Sequence, residues 1–186
     1  WGHLWAGGTP TFQGAWRSLP DDQEDFTTRP YTLPVGSGIR RTTAALPYKG
    51  GLLVCGDPAG VWWFNLRDPN DQLWTVHRVG NWGVPGPECL IAAEDDVAGV
   101  DPQGRFHLIS MTDPQGTPRS SDISARQLGS WIRDNVNRSQ LAKSQLIWDG
   151  DRQRLSLGCH LVGQTQKNLR IDLDLSQRQS LGERWL

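Results

Sequence analysis

Three stretches of this chain share one design: an apolar run, a tight turn that begins with Asp, and a second run rich in large residues. They read GLLVCGDPAGVWWFNL, DDVAGVDPQGRFHLIS and QLIWDGDRQRLSLGCH, with turns at 57–60, 101–104 and 149–152. Asp favours such turns because its side chain forms hydrogen bonds with the backbone of the residues that follow. Pro favours them because its ring fixes φ. The turns begin 44 and 48 residues apart (57 to 101 to 149), close to the roughly 40–50 residues of one propeller blade. The repeat predicts successive antiparallel units.

The clearest of these units lies between residues 39 and 82. Four runs of strand-type residues, TTAALPY, GLLVCG, VWWFNL and LWTVHRV, are separated there by Gly, Pro and Asp turns. Further along, LRIDLDL alternates strictly between apolar and charged residues, which is typical of a strand with one buried face. The sequence predicts an all-β chain, a β-propeller-like run of three to four antiparallel blades. An open sandwich is the alternative architecture.

The predicted blades leave two segments outside them. Residues 1–38 are rich in Gly, Pro, Thr and Trp, so they are predicted as a loop-rich segment or a partial blade. A helical insertion is predicted at 119–141, between blades at about 39–82, 88–118 and 142–186. Because the chain starts at Trp1 and its only Met is Met111, we expect a fragment or a processed product whose open sheet edges need partners.

One segment departs from the β pattern. In SARQLGSWIRDNV, Ser124 and Gln127 have the spacing of a capping box. The same segment places three apolar residues on one side of a helix, Leu128, Trp131 and Ile132. One short helix is therefore predicted near 124–136. A helix this short needs an apolar surface to pack on, either the neighbouring blades or another subunit.

Charge, hydropathy and cysteine content exclude several classes of protein. The net charge of −1 does not steer the whole chain towards nucleic acid, although residues 119–154 hold seven basic side chains against four Asp and form a candidate surface for DNA or an acidic subunit. No apolar run approaches the roughly 20 residues that cross a membrane. The three Cys residues have no short pair spacing, so we predict neither a disulfide framework nor a zinc site.

Catalytic motifs are lacking in the sequence. The patterns GxSxG and HExxH and the P-loop do not occur. Asp172 and Asp174 lie two residues apart on one predicted strand face, a spacing that suits acid–base chemistry, but an exposed blade face explains them more simply. We predict that the protein is not an enzyme and that it uses no cofactor and no metal.

Tryptophan and arginine are the unusual residues of the composition. The chain holds 10 Trp, and its basic residues are 16 Arg against 3 Lys. Both Trp and Arg dominate the energetics of protein interfaces. Because the adjacent Trp62 and Trp63 cannot face the same layer, one of them is expected to contact another blade, a subunit or a ligand. Eight residues are interface candidates: Trp62, Trp63, Trp74, Trp82, Arg40, Arg41, Trp131 and Arg133.

The order of these motifs resembles β-propeller virion proteins of tailed bacteriophages, found in tail, neck and head-completion components. The resemblance covers about residues 36–161: GSGIRRTTAALPYKGGLLVCGDPAGVWWFN, a Gly/Pro link, ECLIAAEDDVAGVDPQGRFHLISMTD, SSDIS before the helix, and SQLIWDGDRQRLSLGCHL. It implies a structural protein of the virion, assembled in the host cytoplasm, with no catalytic residues. The implied partners are other virion structural proteins in a symmetric multi-copy assembly, and packaged DNA.

A second hypothesis belongs to a different class. A ligand-binding or glycan-binding β-propeller of a cellular or secreted protein would use Trp62 or Trp82 to stack on a sugar. Exposed sheet edges and multiple copies around an axis favour the virion protein. A ring closed within one chain and a Trp-lined central pocket favour the binding module.

Overall fold

The computed structural model describes residues 5–6, 14–17, 30–32, 41–57, 60–68, 70–111, 116–124 and 126–176. Within these residues the chain is built mainly from β-strands, which form four antiparallel sheets named here first to fourth in chain order. One α-helix, α1 (Arg126–Asn135), lies between the third and fourth sheets in sequence. The predicted all-β fold with one short helix is confirmed.

Within each sheet the strands follow one another along the chain, and each pairs with the next. The first sheet contains β1 (Trp5–Ala6), β2 (Gly14–Arg17) and β3 (Pro30–Thr32). The second contains β4 (Arg41–Tyr48), β5 (Gly51–Asp57), β6 (Val61–Asn65) and β7 (Thr75–Gly80). The third contains β8 (Leu90–Ala93), β9 (Asp96–Val100), β10 (Phe106–Ser110) and β11 (Arg119–Asp122). The fourth contains β12 (Gln145–Asp149), β13 (Arg154–Cys159) and β14 (Leu169–Asp174).

Corresponding strands of neighbouring sheets lie against each other. The first strands of the second, third and fourth sheets contact in turn, β4 with β8 and β8 with β12. The last strands of the second and third sheets, β7 and β11, also contact, and β2 of the first sheet contacts β4. The second, third and fourth sheets are therefore stacked in chain order with their first strands on one side.

Apolar side chains from alternate strand positions fill the spaces between the sheets. The cluster between the second and third sheets includes Trp63, Val61 and Ile109. The cluster between the third and fourth sheets includes Phe106 and Leu157. Complete burial of each such side chain contributes about 1.5–3 kcal/mol. Because side chains alternate between the two faces of a strand, the positions of the apolar residues determine which sheet faces pack together.

Helix α1 packs against the core beside the third sheet through Ile132, with Leu128 partly buried next to it. Ile132 is fully buried, and the position where a Cβ on Gly104 would stand is 2.1 Å from Ile132 Cγ2. The described helix begins at Arg126, and the hydroxyl of Ser124, the predicted capping residue, accepts a hydrogen bond from the N–H of Phe106 at 2.6 Å. Trp131, predicted on the packed side, is 43% exposed, since neighbouring helical residues point about 100° apart. No helix in the described part of the chain is long and apolar enough to span a membrane.

Candidate interaction surfaces

Trp62 and Trp63 lie on opposite faces of the second sheet, as their adjacency requires. Trp63 points into the cluster shared with the third sheet. Its indole N–H donates to the carbonyl of Tyr48 at 3.1 Å, and the guanidinium of Arg67 lies 5.2 Å from its ring centroid. Gly51 must lack a side chain here, because an added Cβ would stand 2.3 Å from Trp63 Nε1. Trp63 is therefore committed to packing within the chain.

Trp62 belongs to the other face of the same sheet. It is 8% exposed and packs with Leu52, Val54 and Phe64. The guanidinium of Arg78 lies 5.6 Å from its ring centroid, within the range of a cation–π contact. Its buried indole N–H has no acceptor among the described residues. Both faces of the second sheet are thus apolar, and both are buried.

The candidates at the ends of the second sheet have different surroundings. Trp74 is half-buried, and its indole N–H donates to the carbonyl of Asp68 at 2.7 Å. Arg41 is exposed at the start of β4. Arg40 lies outside the described residues. No contact between Trp74 or Arg41 and another described candidate is among the hydrogen bonds, ion pairs and ring contacts found for the described residues.

Trp82 occupies a narrow slot at the edge of the third sheet. Its ring stacks on His107, with centroids 4.2 Å apart and planes 9° from parallel. Its indole N–H donates to the hydroxyl of Ser120 at 2.6 Å. Gly80 and Gly99 form the walls of the slot, since a Cβ on either would lie within 3 Å of the indole. Trp82 is 7% exposed.

The imidazole under Trp82 is held in turn by Asp101, the first residue of the second repeat turn. Asp101 is fully buried, and its carboxylate accepts hydrogen bonds from the N–H groups of Gln103 and Arg105 at 2.8 and 2.9 Å. It also lies 2.9 Å from Arg105 Nε and 3.1 Å from His107 Nε2. Burial raises the pKa of Asp101, but the hydrogen bond from His107 and the hydrogen bond and charge of Arg105 outweigh it, so the pKa lies below its usual value.

We call Trp82, Asp101, Arg105, His107 and Ser120 the Trp82 cluster. It resembles an acid–base arrangement only in its Asp–His pair, because the hydroxyl of Ser120 faces the indole of Trp82 and not the imidazole. Its buried side chains satisfy one another and tie the β9–β10 turn to the segment before β8. Sequence reasoning found Trp82 but missed its partners. The available signal was the Arg and the His four and six residues after a turn-forming Asp.

Helix α1 carries two of the candidates that face water. Trp131 is 43% exposed, and Arg133 is exposed with its Nε 3.2 Å from the carboxylate of Asp134. The carbonyl of Trp131 accepts a hydrogen bond from the side chain of Asn135 at 2.9 Å. Because Ile132 fixes the buried side of the helix, the indole of Trp131 is presented from a rigid element.

The outer face of the fourth sheet is polar, in contrast with its inner face. Asp172 accepts hydrogen bonds from the hydroxyl of Ser156 at 2.6 Å and from Arg170 Nε at 2.7 Å, and Arg154 lies 3.6 Å away. The hydrogen bonds from Ser156 and Arg170 hold the pKa of Asp172 below its usual value. An open depression of about 480 Å³, lined in part by Ile147 and Arg170, lies on this side. The face can form ion pairs with a partner, but it offers no enclosed cavity.

The three cysteines are buried and free. Burial raises the pKa of Cys89 and of Cys159 to about 11 and raises the pKa of Cys55 as well, so all three are protonated thiols at neutral pH. In the part of the chain that the structure describes, no three His, Cys, Asp or Glu side chains are grouped so that they could hold a metal ion.

No protein-family model matches this chain, and no curated protein matches it. The interpretation of function therefore depends on the geometry described above and on the resemblance carried by the sequence motifs.

Proposed function

We propose that this chain is a structural component of a tailed-phage virion, in the tail or neck, and that it acts through contacts between protein subunits. The observation that carries the subunit contact is the exposure of Trp131 on a helix fixed by the fully buried Ile132. A large aromatic ring on a rigid element loses little conformational entropy when a partner covers it, which is why Trp is frequent at binding hot spots. The assignment to a virion comes from the sequence resemblance.

Charge pairing favours a protein partner over packaged DNA. Binding to phosphates depends on Lys and Arg side chains that replace the counterions of DNA. On the fourth sheet, Arg154 and Arg170 both lie within ion-pair distance of Asp172, and on α1 Arg133 lies beside Asp134. These three guanidinium groups are already partly neutralised by carboxylates, as expected for a surface that meets another protein.

The alternative, a glycan-binding propeller, has less support from the residues first considered for it. Trp62 is 8% exposed and Trp82 is 7% exposed. The imidazole of His107 covers one ring face of Trp82. A sugar that stacks on either indole would have to displace side chains of this chain.

The test is sedimentation velocity over a range of concentrations on the wild-type chain, Trp131→Ala and a control, Leu73→Ala. Leu73 is 60% exposed in the segment before β7, so it matches Trp131 as an exposed apolar residue on another element. We expect the wild type to form larger species as concentration rises, Trp131→Ala to weaken this association roughly 10-fold or more, and Leu73→Ala to leave it unchanged.

Two outcomes contradict the proposal. A wild-type chain that stays monomeric at every concentration rules out a role through subunit contacts of this chain with itself in a multi-copy assembly. Equal weakening by both variants would mean that association is unspecific and that α1 has no special part in it. Circular dichroism melts of both variants verify that the fold is retained.

A further inference from the structure

The outer edge of β14 has no partner strand among the described residues. In the second and third sheets the same position is filled, since β7 pairs with β6 and β11 pairs with β10. The fourth sheet ends at β14 within the described part of the chain. A strand edge of this kind presents backbone N–H and C=O groups that can bond another strand.

The edge of β14 also differs in length or regularity from the outer edges of the second and third sheets. The pairing of β7 with β6 has a register shift at Val61 and Trp62, and β11 is only four residues long. Irregular and short edge strands resist pairing with other chains. By contrast, β14 is six residues long, contains neither Pro nor Gly, and pairs with β13 in unbroken register. It is therefore the edge best suited to accept a further strand.

The hydrogen bonds to β13 show which backbone groups of β14 point outward. The N–H of Leu175 donates to the carbonyl of Gln153 at 2.8 Å, in the register that pairs the two strands. In an antiparallel ladder the bonded residues alternate along a strand, so the odd-numbered residues of β14 bond β13. The residues that direct their N–H and C=O groups to the open edge are Arg170, Asp172 and Asp174.

We propose that β14 pairs antiparallel with β14 of a second copy of this chain, about a two-fold axis at Ile171. The two fourth sheets then form one continuous six-stranded sheet. Like the proposed function, the pairing is a subunit contact, but it uses a surface other than α1 and does not depend on the virion assignment. An isologous contact of this kind requires a self-complementary strand.

The charges of β14 make it self-complementary in one register. With the axis at Ile171, Arg170 lies opposite Asp172 of the second copy, and the reverse pair forms on the other side of the axis. Opposite charges directly across antiparallel strands are favourable, and like charges are unfavourable. The competing register, with the axis at Asp172, satisfies the same backbone groups and places Arg170 opposite Asp174 of the second copy, but it also places two Asp172 carboxylates opposite each other. Charge complementarity therefore selects the axis at Ile171.

The apolar face supports the same register. Leu169 and Leu173 are only partly buried and pack at the margin of the cluster between the third and fourth sheets. With the axis at Ile171, Leu169 lies opposite Leu173 of the second copy and the two Ile171 side chains meet. All apolar residues of both strands then share one face, so pairing extends the existing core and leaves the charged residues together on the other face.

The experiment uses the full chain carrying Trp131→Ala, so that association through α1 does not contribute. In this background we expect a dimer by sedimentation velocity. Arg170→Asp leaves Asp at both 170 and 172, and Asp172→Arg leaves Arg at both. Because like charges then face each other across the axis, each variant alone should dimerise roughly 10-fold or more weakly. An equimolar mixture of the two variants should recover the dimer, because each charge then faces its opposite. A monomer in the Trp131→Ala background, or variants that dimerise as well as their parent, would overturn the pairing and leave the role of α1 untouched.

Amide hydrogen exchange gives a second measurement that needs no β14 variant. The N–H of Ile171 and Leu173 should be protected at all concentrations because they bond β13. The N–H of Asp172 should be protected at high concentration and should exchange at least about 10-fold faster on dilution below the dissociation constant. Protection of Asp172 that is independent of concentration would mean that a strand of the same chain takes the edge. That result, or fast exchange at every concentration, contradicts the proposal.

Discussion

Two turns of the same sequence design have different surroundings in the structure. The turn at 101–104 joins β9 to β10, is covered by α1, and begins with an Asp side chain that is fully buried. The turn at 149–152 joins β12 to β13, and the side chain of Asp149 is 34% exposed. Asp149 accepts a bond of 3.2 Å from the N–H of Arg152, and Arg152 Nε lies 3.9 Å from its carboxylate.

Two turns with the same sequence motif can contribute very different amounts to the stability of the fold. Around Asp101, two backbone N–H groups, a guanidinium and an imidazole share one fully buried carboxylate. Around Asp149 the corresponding bonds are fewer, longer and exposed to solvent. A buried polar group that loses its partners is costly, whereas an exposed one exchanges them for water. Matched substitutions in the two turns should therefore have unequal effects.

The largest difference in the free energy of unfolding is expected between Gly104→Ala and Gly150→Ala. Gly104 has a φ of +83°, and an added methyl group would lie 2.1 Å from Ile132 Cγ2. We expect Gly104→Ala to lower the free energy of unfolding by about 2–4 kcal/mol, from the backbone strain and the displaced helix together. At Gly150 the nearest atom is Trp148 Nε1 at 3.4 Å, an ordinary contact, and the change should be below about 1 kcal/mol. Urea unfolding of both variants measures this, and equal losses would contradict the comparison.

A smaller difference is expected between Asp101→Asn and Asp149→Asn at pH 7. The Asn amide cannot accept all four of the bonds that the Asp101 carboxylate receives, so we expect a loss of about 1–3 kcal/mol in the free energy of unfolding. For Asp149→Asn the loss should be within about 0.5 kcal/mol, because water replaces the lost contacts. Thermal and urea unfolding of the pair provide the measurement. A loss at Asp149 as large as that at Asp101 would show that burial does not set the cost.

The pH dependence of the Asp101 effect follows from its lowered pKa. A carboxylate whose pKa falls on folding stabilises the protein above its unfolded pKa of about 3.9, and this stabilisation disappears as pH falls through the lower folded pKa. The difference in stability between the wild type and Asp101→Asn should therefore be full at pH 6–7 and shrink below about pH 4. A difference that grows on acidification would contradict the assigned direction of the pKa.

The smallest difference is expected between Arg105→Ala and Arg152→Ala. Arg105 is 48% exposed, so water screens much of its interaction with Asp101. We expect Arg105→Ala to cost about 1 kcal/mol or less and Arg152→Ala a few tenths at most. Repeating the unfolding at high salt sharpens the result, because the Arg105 effect should decrease only in part when one partner is buried. A larger loss for Arg152→Ala would reverse the comparison.

Much of the fold could be predicted because its signals are local. The four runs between residues 39 and 82 became β4 to β7, and LRIDLDL became β14 with its apolar side packed against the core. Alternation of apolar and polar residues and turn-forming Asp, Pro and Gly act over a few residues. The Trp82 cluster could not be predicted in the same way. Its indole reaches Ser120 across 38 positions of sequence, and such a contact depends on how two sheets stack.

For the interface candidates as well, the sequence predicted the residue types but not their tertiary contacts. Composition identified Trp and Arg as notable residue types, but it could not distinguish Trp63, which is fully packed, from Trp131, which faces water. The exposure of Trp131 follows from Ile132 entering the space above Gly104, a contact between residues in different elements. Whether Trp131 takes part in an interface stays a prediction, and the Trp131→Ala variant tests it.

The sequence by itself determined where the strands and turns lie and which side chains alternate along each strand, because backbone propensity and period-two patterning are properties of short segments. The tertiary structure alone decided which Asp turn is buried, which Trp is exposed and, among the described residues, that the fourth sheet ends at its third strand. Those outcomes depend on what lies across from each face. The surroundings of a strand or helix face are set only when distant segments of the chain pack against it. The free energy of burial then differs between residues that cannot be distinguished in the sequence.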